Sequence, residues 1–161
     1  MKRGSVVLGC LLALAACTVT TTQAPTGGTG PQSPISDAAM NATFGELLNA
    51  ERARAGLSPV AANGTLERVA AGHARDMEQR NFFSHTSSDG RSLGQRARGG
   101  GYGFCSVAEN IARGQDSVQE VHQTWMASAG HRANNLSRSV TEYGLARVDD
   151  TWVLVLASGG C

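Results

Sequence analysis

The chain has 161 residues, 41% hydrophobic and 17% charged, a balance typical of one globular domain with short additional segments. Fourteen basic residues face thirteen acidic ones; this near-neutral charge argues against nucleic acid as a partner, because phosphate neutralisation needs clustered Lys and Arg. The only lysine is Lys2, next to Arg3 in a segment that we expect to be removed, which excludes lysine-based covalent catalysis in the mature domain.

The N-terminal residues have the pattern of a bacterial export signal. Two basic residues precede an apolar run over 6–16, and this run is too short to span a bilayer. It ends in Leu14-Ala15-Ala16-Cys17, which resembles the lipobox of bacterial lipoproteins, where the cysteine is lipidated and the peptide is cut just before it. We therefore expect a signal peptide over 1–16 and a lipid on Cys17, with cleavage by an ordinary signal peptidase as the alternative.

The segment after Cys17 predicts a flexible tether. Residues 18–34 carry no charge and hold six Thr, three Gly and three Pro, so they bury too little apolar surface to offset their ordering entropy. We expect 17–38 to be a lipidated N-terminus and Thr/Pro/Gly tether that holds an exported domain, 39–161, to a membrane of the cell envelope. The residue after Cys17 is threonine, not the aspartate that resembles an inner-membrane retention signal, so a Gram-negative cell would place it in the outer membrane.

Cysteine usage agrees with export. Cys10 is lost with the signal peptide and Cys17 is the lipid site, which leaves Cys105 and Cys161 in the domain. Neither belongs to a metal-binding Cys-x-x-Cys pattern. We therefore predict a structural disulfide between Cys105 and Cys161.

Three segments predict helices, because apolar side chains recur at helical spacing. The first covers 39–56 and stops at Gly56. The second follows Asn63. The third begins at Ser117 with an S-x-x-E capping box and closes at Gly130.

Two late segments predict strands, 143–148 and 152–157, around an Asp149-Asp150 turn. The run over 152–156 is continuously apolar, which is typical of a strand buried on both faces. A glycine-rich stretch and a short apolar segment over 104–112 precede the third helix. We therefore predict an α+β fold with a small, mainly antiparallel sheet between helical layers.

Three polar residues stand where the chain leaves a predicted element: His85, Glu109 and His131. Two imidazoles and one carboxylate can form a His₂Glu metal site or an acid/base pair. Their wide separation in sequence means that only the fold can bring them together, and solvated loop histidines are the alternative.

A series of motifs then follows in order along 40–161: LLNAERARAGL at 47–57, FSHT at 83–86, DGRS at 89–92, ENIA at 109–112, GHR at 130–132 and YGLA at 143–146. This series resembles the CAP superfamily, the cysteine-rich secretory, antigen 5 and pathogenesis-related proteins that share the SCP domain. It is closest to the short bacterial members.

The resemblance implies a three-layer α-β-α sandwich with a surface cleft, in which many members hold a divalent ion, often zinc, with two His and two Glu. His85, Glu109 and His131 match three of these positions. Ser128 stands where the fourth, a glutamate, is found, so we expect weak binding of zinc or another divalent ion at His85, Glu109 and His131. Asn110 and Ser128 are expected to support the cleft.

The remaining polar candidates have ordinary structural interpretations. His73 and His122 each share an apolar helical stripe, which favours satisfied core histidines. The arginines at 91, 96 and 98 form a modest basic patch that we expect to be a solvated face. The chain contains no G-x-S-x-G, H-E-x-x-H or phosphate-loop motif.

Three functions therefore stand, in this order. The first is a non-catalytic binding module whose cleft takes a divalent ion or a small amphipathic or cell-wall-derived ligand; by resemblance, eukaryotic members bind sterols and fatty acids. The second is a structural or adhesive scaffold. The third is an envelope hydrolase or peptidase with Glu109 as general base and histidines polarising water or a metal. The sequence leaves the oligomeric state open.

Overall fold

The computed structural model describes Met1 and residues 36–160. The predicted signal peptide beyond Met1, the lipid site Cys17, most of the predicted tether and Cys161 lie outside the described residues. Within residues 36–160 the elements follow in this order: α1 (Asp37–Arg54), β1 (Ala61–Ala62), α2 (Gly64–Gln79), α3 (Leu93–Gly99), β2 (Phe104–Arg113), α4 (Val118–Ala127), α5 (Ala129–Asn135), β3 (Glu142–Val148) and β4 (Thr151–Gly159).

The strands form one sheet in the order β1-β3-β4-β2. The central strand β4 pairs antiparallel with both neighbours, so that Leu154 lies opposite Leu145 of β3 and Asn110 of β2. Only the two-residue β1 runs parallel to its neighbour. The mainly antiparallel sheet predicted from the sequence is therefore confirmed.

Helices cover both faces of this sheet, which confirms the three-layer α-β-α prediction. Alternate residues of β4 face opposite layers, because side chains alternate along a strand. One core packs α1 and α4 against Trp152, Leu154 and Leu156, and the other packs α2 against Val153 and Val155. The continuously apolar run at the end of the chain is thus a strand buried on both faces.

The first two predicted helices are present, and their ends have identifiable causes. The Ser36 hydroxyl caps α1 by accepting from the Ala39 N–H at 3.3 Å, so α1 begins two residues before the predicted domain boundary. Gly56, with φ of +66°, ends it in the left-handed region that glycine adopts readily. The Asn63 side chain caps α2. In the part of the chain that the structure describes, no helix combines the length and apolarity needed to cross a membrane.

Close approach of α2 to β3 requires a glycine. A Cβ at Gly144 would lie 2.2 Å from the backbone N of Glu67, far inside van der Waals contact. This approach fixes the height of α2 over the sheet, and α2 carries His73 into the candidate site.

The third predicted helix is wrong in its extent. It divides at Ser128, which has extended dihedrals (φ −93°, ψ 125°), into α4 and α5. Gly130 therefore lies inside α5 rather than closing the helix. The Ser117 cap is present, with its hydroxyl accepting from the Glu120 N–H at 3.2 Å. The helix α3 was not predicted from the sequence, although Ser92 and Gln95 form a complete capping box at its start.

Candidate functional site

Glu109 is the centre of the candidate site. It lies in the middle of β2, opposite Val155, and its side chain is only 2% exposed. One carboxylate oxygen, Oε1, accepts a hydrogen bond from His85 Nδ1 at 2.8 Å. The other oxygen, Oε2, accepts from Arg96 Nη2 at 2.6 Å. The carboxylate is therefore held between an imidazole and a guanidinium.

Arg96 is the functional residue that the sequence analysis missed. It was assigned with Arg91 and Arg98 to a solvated basic patch; those two are exposed, but Arg96 is only 6% exposed. Besides Glu109, its Nη1 donates to the backbone oxygens of His85 and Arg91, at 2.9 and 3.2 Å. The S-x-x-Q capping box at 92–95 was the available signal, because it predicts the helix that carries Arg96 inward.

His85 provides the exposed part of the site, with 58% of its side chain accessible. The hydrogen bond from its Nδ1 to Glu109 raises the pKa of His85, since it favours the charged ring more than burial disfavours it. Among the described residues Nε2 has no hydrogen-bond partner. His85, Thr86, Ser92, Leu93 and Glu109 line a cleft of about 340 Å³.

His73 is a core histidine, 1% exposed, that also supports the site. Its Nε2 donates to the Ser84 carbonyl oxygen at 2.8 Å, which holds the loop just before His85. The same nitrogen lies 3.9 Å from Glu109 Oε1. Burial lowers the pKa of His73, so the ring is neutral near pH 7 with its proton on Nε2. His122 is likewise buried, and its ring meets that of Phe44 edge to face at 5.8 Å.

His131 lies on α5, close enough to His85 for the two rings to interact electrostatically. Burial and the charge on His85 together lower the pKa of His131. Its Nδ1 is buried without a partner among the described residues. It is not one of the residues that line the cleft.

The residue that places α5 beside β2 is Asn110. Its Nδ2 donates to the His131 backbone oxygen at 3.1 Å and to Asn135 Oδ1 at 2.9 Å, and its Oδ1 accepts from Asn134 Nδ2 at 2.8 Å. Ser128 stands at the break between α4 and α5 and makes no side-chain capping bond. Because the chain is not helical at Ser128, this residue is not part of the α4 surface, and it is not among the residues that line the cleft; its support of the cleft stays a prediction.

The residues around Glu109 do not fit a divalent ion as they are arranged. Within residues 36–160, no three His, Cys, Asp or Glu side chains lie close enough together to hold a metal. Both Glu109 oxygens are engaged, and Arg96 brings a positive charge to 2.6 Å from one of them, where a cation would be repelled. Zinc binding at His85, Glu109 and His131 stays a prediction that these charges do not favour.

The predicted disulfide involves one described residue. Cys105 lies at the start of β2, and its Sγ is 3.7 Å from the backbone oxygen of Gly159 at the end of β4. Cys161 lies outside the described residues, so the pairing stays a prediction.

The fold and these motifs agree with one known family. The model of the cysteine-rich secretory protein family, CAP, matches residues 46–155, and the chain therefore belongs to this family. The uncharacterised protein YkwD of Bacillus subtilis is 36% identical over 121 residues, which are 75% of this chain and 47% of that protein. The uncharacterised membrane protein YlbC of the same organism is 33% identical over 62% of this chain and 29% of its own length. The chain thus spans less than half the length of these relatives.

Solved structures agree with the family assignment. An extracellular SCP-domain protein from Bacillus anthracis is 32% identical and covers 80% of this chain and 45% of its own, with a TM-score of 0.72. An outer surface protein from Borrelia burgdorferi is 21% identical, covering 75% of this chain and 92% of its own with a TM-score of 0.69. The second similarity shows the fold alone.

Proposed function

We propose that this CAP domain is a non-catalytic binding module and that His85 contacts the ligand. The observation that carries the proposal is the state of Glu109: its two oxygens bind His85 and Arg96 at 2.8 and 2.6 Å. A general base must reach the proton that it removes, whereas this carboxylate is buried and engaged on both sides. Its supported role is to orient the His85 ring, which leaves Nε2 for a ligand.

The cleft favours a small amphipathic ligand or a fragment of the cell wall. Its volume of about 340 Å³ lies at the lower end of small-molecule sites. Leu93 supplies an apolar wall, while Thr86 and His85 supply polar groups. Because the pKa of His85 is raised, more of the ring is protonated near neutral pH than in a free histidine, and Nε2–H then donates to a ligand oxygen.

The proposed location is the outside of the cytoplasmic membrane, with a lipid on Cys17 as the anchor. The Leu14–Cys17 motif supports this location, as does the extracellular SCP-domain relative from Bacillus anthracis. More than one acyl chain gives stable anchoring. In a bacterial host that processes lipoproteins, the chain should partition with membranes and incorporate labelled fatty acid, and Cys17→Ser should abolish the label. A chain that stays soluble with Cys17 intact contradicts the anchor without touching the cleft.

The binding proposal is tested by titrating the full chain carrying Cys17→Ser, which is free of lipid, with two probes: dodecanoate and a soluble disaccharide-peptide from digested peptidoglycan. We expect one probe to bind and His85→Ala to weaken it about tenfold, as for loss of a charge-assisted hydrogen bond. Gln123→Ala, on an exposed position of α4, is the control. Equal affinity in His85→Ala, or no binding of either probe, contradicts the proposal.

A second candidate function is hydrolysis, and one observation favours it. A histidine whose Nδ1 donates to a buried carboxylate, as His85 does at 2.8 Å, is also the arrangement that orients a general base. In that case His85 Nε2, rather than Glu109, takes the proton from an attacking water. A peptide library is incubated with the wild type, His85→Ala and Glu109→Gln. Turnover that disappears in both variants replaces the binding proposal, and turnover independent of His85 excludes this site as its source.

A further inference from the structure

A second cavity lies between α2 and the segment 87–100. It shares no lining residue with the His85 cleft. Its volume is about 440 Å³, and we call it the arginine cavity. Arg96 borders it and also binds Glu109 Oε2, which belongs to the cleft. Neither the family assignment nor the proposed function uses this cavity.

The charges around the arginine cavity leave an excess of positive groups. Four arginines and two aspartates line it. Asp76 accepts from the backbone N and hydroxyl of Ser88, at 2.9 and 2.6 Å, and lies 3.2 Å from Arg80 Nε. Asp89 accepts from the backbone N and Nε of Arg91, at 3.1 and 2.7 Å. Both carboxylates are thus consumed by internal hydrogen bonds.

The arginines keep donors that these carboxylates do not use. Arg68 is exposed, and its side chain donates to Thr65 Oγ1, a neutral acceptor, at 2.9 Å. Arg91 binds Asp89 through Nε, and a guanidinium carries five N–H donors in all. Arg80 is paired with Asp76, Arg91 with Asp89 and Arg96 with Glu109. The net positive charge of the cavity is therefore that of Arg68, and together with the N–H groups left unpaired it favours an anion over a metal cation.

Two buried polar atoms of the lining residues lack partners among the described residues: Arg96 Nε and His73 Nδ1. Arg96 is 6% exposed and His73 1%. Arg96 Nε is a donor. His73 donates from Nε2 to Ser84, so its Nδ1 is an acceptor. A buried polar group without a partner is costly, so a ligand group that reaches either atom through the cavity wall gains by pairing with it: an oxygen acceptor at Arg96 and a hydroxyl donor at His73.

We propose that the arginine cavity binds a small hydroxylated oxyanion, a sugar-sized molecule carrying a carboxylate or phosphate group. The oxyanion accepts from the arginines, since guanidinium groups match the planar geometry of carboxylate and phosphate. A hydroxyl on the same molecule supplies the donor for His73 Nδ1. The volume of the cavity suits a molecule of this size.

The test is calorimetry of the full chain carrying Cys17→Ser with glucuronate, glucose 6-phosphate and neutral glucose. At least one anion should bind saturably below about 10 mM, more weakly at high salt, and glucose at least about tenfold more weakly. The comparison of the two anions shows which oxyanion the cavity prefers. No saturable binding of either anion, or equal binding of glucose, overturns the proposal.

Variants locate the binding. Arg68→Gln and Arg91→Gln change exposed residues and should each weaken the anion about fivefold or more. Arg98→Gln is the matched control, because Arg98 is an exposed arginine near Arg91 in the sequence and is not among the residues that line the cavity. Gln123→Ala, at an exposed position outside the lining, should leave the anion affinity unchanged. An equal loss with Arg98→Gln, or no loss with Arg68→Gln and Arg91→Gln, overturns the site.

Discussion

Replacing Arg96 by methionine removes the positive charge beside Glu109 and keeps an unbranched side chain of similar length. The two side chains are 6% and 2% exposed, and 2.6 Å separates Arg96 Nη2 from Glu109 Oε2. The loss leaves a buried carboxylate with His85 as its close partner and removes the bonds from Arg96 to backbone oxygens. Breaking a buried pair on one side costs about 3–5 kcal/mol, a large part of the stability of a typical domain.

The assay is urea denaturation of the full chain with Cys17→Ser, at pH 7, with the free energy of unfolding taken by linear extrapolation. Arg98→Met is the matched control on the same helix: Arg98 is exposed and stacks over Phe104 at 4.2 Å, so its loss should cost about 1 kcal/mol at most. The double variant Arg96→Met/Glu109→Leu removes both charges and should be more stable than Arg96→Met alone. The reasoning is refuted if Arg96→Met costs no more than the control, or if adding Glu109→Leu destabilises the chain further.

Three further outcomes follow from the structure. Burial lowers the pKa of His73 and His122, so below pH about 6.5 the unfolded chain binds more protons than the folded chain. The free energy of unfolding should therefore fall towards pH 5, by up to about 1.4 kcal/mol per pH unit for each histidine. A flat profile of this free energy, measured by urea denaturation at each pH, would contradict the prediction. Gly144→Ala should cost about 3 kcal/mol of stability or more, or prevent folding, because its Cβ would lie 2.2 Å from a backbone nitrogen of α2. The control Gly72→Ala has nothing within 4 Å of its Cβ and should be neutral or stabilising in the same assay. Equal losses in the two variants would show that the close approach is not the cause. Cys105→Ser should lower stability by about 2–4 kcal/mol under oxidising conditions only, and an equal loss in the presence of reductant would argue against the predicted disulfide.

Local signals in the sequence determined the scaffold of this domain. Capping residues such as Ser117 and Asn63 act on backbone groups two or three residues away, so a short window contains their whole effect. The continuous apolar run in β4 is also a local signal, and it predicted a strand buried on both faces. A strand of this kind needs helices on both sides of the sheet, which is the layered α+β fold. Motif order along 40–161 was enough to indicate the family and to select Glu109 and His85.

Only the tertiary structure decided the chemistry of the site. The charge on Glu109 is balanced by Arg96, thirteen residues earlier in the chain. Arg96 lies on the short helix α3 and Glu109 on β2, and no periodic pattern in the sequence predicts that these two elements meet. His131 was placed by the break at Ser128 and by the bonds of Asn110, which span 21 to 25 residues. Whether a carboxylate is free to bind a cation depends on which charges surround it in space, and that is a property of distances between elements rather than of residue type or spacing.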